Sequence, residues 1–64
     1  MNDTVKFWLE NVYKDTIEGA RETIKNEHLW ELGYTGEEPN PHTENIKTLR
    51  EYIDVLEDKI RELN

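Results

Sequence analysis

The sequence contains neither cysteine nor serine. Without cysteine, disulfides and thiolate metal sites are excluded, and nothing points to an oxidising compartment. Without either residue, a nucleophilic triad would have to be built on threonine, which is uncommon. Glycine occurs three times and proline twice, so few positions interrupt a helix. No apolar run approaches the ~20 residues of a membrane span. The opening "MNDTVKFWLENVYKD" places acids and asparagines where a signal peptide needs a basic and then an apolar segment. These absences predict a cytoplasmic protein without a membrane partner. Bases are also outnumbered, eight Lys and Arg against fifteen Asp and Glu, for a formal charge of −7. A polyanionic nucleic-acid backbone repels such a surface, so direct nucleic-acid binding is not expected.

A chain of 64 residues forms one domain at most, and folding buries only about 60% of the surface that the unfolded form exposes. Chains below roughly 70–80 residues usually supplement so small a core with disulfides, a metal, regular helix packing or an oligomeric partner. Charged residues at 36% against 34% hydrophobic leave disorder as an alternative, but the apolar residues are periodic, which favours folded helices.

The strongest pattern runs through "TENIKTLREYIDVLEDKIRELN", where Ile46, Leu49, Ile53, Leu56, Ile60 and Leu63 alternate steps of three and four. That spacing places isoleucine at every a position and leucine at every d position of a heptad. Asn40 before Pro41 suits an N-cap followed by proline at the first helical position, with Thr43 as a competing cap. The other helix begins at Asn2 or Asp3 and extends to Leu32, where Gly33 stops it. Its apolar row steps by four through Val5, Leu9, Tyr13 and Ile17 and on through Ala20, Ile24, His28 and Leu32, with Trp8 and Val12 on one flank. A bend at Gly19 is the alternative, since "DTIEG" resembles a fresh helix start, but one glycine costs only about 1 kcal/mol relative to alanine. One long helix is therefore preferred.

The expected fold is all-α: an antiparallel two-helix hairpin with unequal helices, spanning residues 1–64 as a single domain. Helix 1 covers about 3–32, the connector 33–40 and helix 2 about 41–63. At about 1.5 Å per residue the helices measure on the order of 45 Å and 33 Å. Docked from the connector, Ile46 lies near Leu29 and Leu63 near Val12, so "TVKFWLE" overhangs. Val5, Phe7, Trp8 and Leu9 then form a candidate partner contact, because contiguous exposed apolar groups usually mark a contact surface. A bent helix or a folded-back N-terminus would hide them instead.

The Ile/Leu seam is also a candidate for self-association. Ile at a and Leu at d favours parallel two-stranded coils, yet a parallel pair would set no opposite charges beside each other. An antiparallel pair brings Arg50 towards Glu57 and Lys59 towards Tyr52, so the flanks favour antiparallel. The simpler outcome is that the seam packs on helix 1 of the same chain. Both hold together in a homodimer of hairpins forming a four-helix bundle.

Catalytic and cofactor chemistry finds little footing. "GYTGEE" lacks the lysine and glycine spacing of a phosphate loop, and two helices do not easily enclose a ligand pocket. Glu27, His28, Glu31 and His42 are the groups nearest to a metal set, but two histidines and no cysteine fall short of the usual four-ligand site. They read as solvated helix-end residues, and neither cofactor nor metal is expected. Charge distribution says more. No Lys or Arg stands between Lys25 and Lys47, while Glu27, Glu31, Glu37, Glu38 and Glu44 all do. This acidic tip, with Trp30 and Tyr34 as aromatic anchors, suits docking on a basic protein surface. It equally suits a solubilising turn, with Trp30 capping the hairpin core beside Leu29 and Leu32.

The expected function is thus a small regulatory, adaptor or inhibitor module that binds another protein without catalysis. The alternatives are an anionic decoy that mimics nucleic acid, of the kind made by phages and mobile elements, and a purely structural oligomeric component. Lys6, Lys14, Arg21, Arg50, Lys59 and Arg61 interrupt the acids along the helices, which counts against a mimic.

Overall fold

The computed structural model describes residues 2–64 and consists of two helices, α1 (Asp3–Gly33, 31 residues) and α2 (Pro41–Leu63, 23 residues), packed antiparallel as a hairpin. Asn2 caps α1: its side-chain oxygen accepts from the Val5 amide at 2.9 Å, which satisfies one of the donors left free in a first turn. Asn40 does the same for α2 by accepting from the His42 amide at 3.0 Å, with Pro41 in the first turn where its missing N–H is no loss.

α1 runs unbroken through Gly19, as the single-helix reading expects. The end differs by one residue. Gly33 is still helical, and among the described residues no glycine has a positive φ. The chain leaves the helix at Tyr34, which turns extended (φ −74°, ψ 128°) while its amide donates to the Glu31 carbonyl. The stop is therefore not a left-handed glycine cap.

The core lies midway along the hairpin, where Ile17 and Ala20 of α1 meet Ile53 and Leu56 of α2, flanked by Tyr13, Ile24, Leu49 and Ile60. Ile46 is buried as well. The a/d seam of α2 thus packs on α1 of the same chain. Fully covering each such side chain stabilises the fold by about 1.5–3 kcal/mol, and only a handful are covered. Because α1 is eight residues longer than α2, its first turns extend past the end of their neighbour.

The inward row of α1 departs from the sequence reading. After Ile24 it continues through Glu27 and Glu31, which are partly buried, whereas His28 and Leu32 are exposed. Steps of four drift around a helix of 3.6 residues per turn, so a row that faces a straight neighbour must alternate threes and fours. Leu29, expected beside Ile46, is likewise exposed, and carboxylates occupy the places expected of apolar groups.

Candidate functional site

Two carboxylates of α1 organise the connector end. Glu27 accepts from His42 Nδ1 at 2.6 Å and from Asn45 Nδ2 at 3.2 Å, both on α2. An ionised carboxylate only accepts, so Nδ1 of His42 carries the proton in this contact. Glu31 accepts from the Thr43 hydroxyl at 2.5 Å through one oxygen and from His28 Nδ1 at 3.1 Å through the other. Asn40 joins the two helices directly, since its Nδ2 donates to the Glu31 carbonyl at 2.9 Å while its Oδ1 caps α2. Asn40 therefore satisfies an acceptor at the end of one helix and a donor at the start of the next.

This arrangement corrects the reading of Glu27, Glu31 and His42 as solvated helix-end residues, whereas His28 is exposed as that reading expects. The Glu27 and His42 side chains are only 13% and 25% exposed. Fifteen residues of sequence separate them, and only the fold-back of the hairpin brings them together. The hydrogen bond from His42 holds the Glu27 carboxyl below its ordinary range, opposed by burial and assisted by Asn45 and the imidazole charge. Glu31 is lowered first by the Thr43 hydroxyl, again opposed by burial, with His28 and the charge of Arg50 assisting. Among the described residues no three such side chains converge as metal ligands. The contacts form two separate carboxylate–imidazole pairs.

Aromatic rings surround His42. Trp30 lies tilted against it at 5.6 Å between ring centroids, and Tyr34 meets it edge-on at 6.4 Å. Trp30 does not cap the core: it is 59% exposed, and Leu29 and Leu32 beside it are exposed too. Tyr34 folds back over Gly36, where any Cβ would collide with the phenol ring, so glycine permits that close approach. Glu37 and Glu38 are exposed on the connector.

At the other end, Val5, Phe7 and Trp8 are exposed and Leu9 is partly covered. Phe7 and Trp8 make an edge-to-face pair with centroids 5.6 Å apart. The candidate contact residues are therefore split between the two ends of α1. Two surface grooves stand out, and both are open: one along α1 over Gly19 and Arg21, the other across both helices over Glu31, Ile46 and Arg50.

Exposed apolar residues along the middle of the hairpin, Val12 on α1 and Tyr52 and Val55 on α2, escaped the sequence reading as a contact surface. The flank position of Val12 beside Trp8 was their only signal. No family model matches the chain, and no curated protein or solved structure matches it either.

Proposed function

We propose that this chain is an acidic helical module that acts by docking on another protein, as a regulator, adaptor or inhibitor, and not by catalysis. The observation that carries this reading is the imbalance between covered and uncovered apolar side chains. Ile17, Ala20, Ile46, Ile53 and Leu56 are buried, whereas Val5, Phe7, Trp8, Val12, Leu29, Trp30, Leu32, Tyr52 and Val55 are exposed. Large aromatic groups displayed this way are the usual anchors of protein interfaces, and exposed acids such as Glu37 and Glu38 add steering and specificity.

The anionic decoy is less well supported than the protein-binding module. Glu27 and Glu31, two of the acids in the base-free interval, are engaged inside the joint and do not stand out as phosphate mimics.

Affinity capture from extracts of the cells that make the protein tests the reading, using wild type, F7A/W8A and E37K/E38K as baits. A specific protein held by wild type and lost by one of the two variants is the expected outcome. Loss with E37K/E38K, together with release in moderate salt, assigns the contact to the acidic tip. Identical sets on all three baits refute the proposal.

A further inference from the structure

Beyond the seam that faces α2, α1 carries a second row about a quarter turn away. Val5, Trp8 and Val12 open it, Thr16, Gly19 and Thr23 form a small middle, and Asn26 and Trp30 close it. The steps are threes and fours, so the row runs straight along the helix. It contains no charged side chain. Its hydroxyls are already satisfied: Thr16 donates to the Val12 carbonyl at 2.8 Å and Thr23 to the Gly19 carbonyl at 3.0 Å, leaving the methyls available. In an antiparallel hairpin the matching flank of α2 lies on the same side, and it bears Thr48, Tyr52, Val55 and Lys59. The opposite side is charged and carries the ion pair between Arg21 and Glu57 at 3.7 Å. The hairpin is thus a slab whose other broad face carries an uncharged row on α1, bordered at Gly19 by Asp15 and Glu22, and a single cation on α2, Lys59.

We infer that a second copy of this chain covers that face, laid antiparallel with α1 against α1. The inference rests on reading the exposed apolar groups as a contact surface, and it names what makes the contact. Four observations select this occupant.

The first is area. The slab measures 53 by 15 by 9 Å between Cα extremes, so the broad face offers about 800 Å², close to what each partner contributes to a standard stable interface. The second is self-complementarity. Reversed about a point between Ile17 and Glu18, the row meets itself with Val5 opposite Trp30, Val12 opposite Thr23 and Thr16 opposite Gly19. A two-fold interface requires such a match. Gly19 sits near that axis, and a Cβ there would meet nothing in its own chain. Packing within the hairpin gives no reason for a glycine that weakens an exposed helix, whereas a close crossing of two α1 helices does.

The third is the overhang. In the reversed arrangement the uncovered first turns of one α1 lie across the connector end of the other copy, so Val5 and Trp8 come to Trp30. The fourth is charge. A parallel pair would set two acidic tips side by side, each with five acids and no Lys or Arg between Lys25 and Lys47. The antiparallel pair places them at opposite ends, several Debye lengths apart.

The test is the solution mass by light scattering from micromolar to millimolar concentration, with helix content followed in parallel. Wild type is expected at twice 7.7 kDa. V12K is expected to remain helical and to raise the dissociation constant by about tenfold or more, because it buries an unpaired charge opposite Thr23 of the second copy. L32K, on the charged side, is expected to leave the dimer intact. Orientation is read from V5C and W30C mixed under oxidation, with no native cysteine to compete. Disulfides joining V5C to W30C are expected. Should V12K unfold, this cysteine pair decides the matter on an otherwise native chain. A mass of 7.7 kDa throughout, a dimer unaffected by V12K, or V5C joined only to itself overturns the inference. Capture of another protein by a chain that proves monomeric overturns it while leaving the proposed function standing.

Discussion

Midway along the hairpin and at its connector end, successive positions on the inward face of α1 carry opposite chemistry. Ile17 and Ala20 meet Ile53 and Leu56 as a dry contact, whereas Glu27 and Glu31 meet His42, Asn45 and Thr43 through hydrogen bonds. The first contact is non-directional and tolerates rotation or sliding of one helix on the other. The second is directional, since each bond holds only at one offset of the chains. Stability thus resides mostly in the middle and register mostly at the joint.

Removing a core side chain should break this contrast most severely. Leu56→Ala is expected to lower unfolding stability by about 2–5 kcal/mol, comparable to the whole margin of so small a domain, and denaturant titration should find it largely unfolded. Asn40→Ala comes next, at roughly 1 kcal/mol, because a cap is lost and the Glu31 carbonyl loses its partner. Its signature is fraying of α2 at its first turn, visible as faster amide exchange there.

The joint should respond to acid in a defined direction. Glu27 and Glu31 titrate below their ordinary values in the folded chain, so the unfolded chain binds more protons in that window. The stability they add is present at pH above the ordinary glutamate range and is lost as pH falls through the lowered values. Thermal melts in acid should show this loss, and Glu27→Gln with Glu31→Gln should flatten it. Replacing Glu27 and His42 together by leucine sharpens the comparison further: stability at neutral pH should hold or rise, because an apolar pair needs no desolvation of charge, while the acid dependence weakens. The smallest effect belongs to Gly36→Ala, which should displace the Tyr34 ring from His42, change the aromatic ring-current shifts and leave the melting temperature nearly unchanged.

The seam of α2 was legible because Ile and Leu alternate there without exception and no other periodicity competes. Both caps were legible for the same local reason: Asn2 and Asn40 act within three residues of themselves. The inward row of α1 was legible only as far as Ile24, and Val5, expected to open it, is exposed on the flank shared with Trp8 and Val12. Beyond Ile24 the facing residues are carboxylates, which a hydropathy pattern assigns to solvent, and Leu29 and Leu32 nearby attract the row to the wrong side. The pairing of Glu27 with His42 depends on the register of the folded hairpin, which no local pattern encodes. Trp30 resisted reading because its size suggests a core while its position on the helix faces outward.

The flatness of the hairpin has a hydrodynamic consequence. A compact chain of this length has a radius of gyration of about 11 Å, whereas this one measures 15.4 Å. A single copy therefore diffuses with the drag of a considerably heavier globule, and its elution from a sizing column counterfeits a dimer. Stacking a second slab on the broad face adds thickness far more than length. Association should accordingly double the scattering mass while the frictional ratio falls, so the pair travels more nearly as a compact particle than either member does alone.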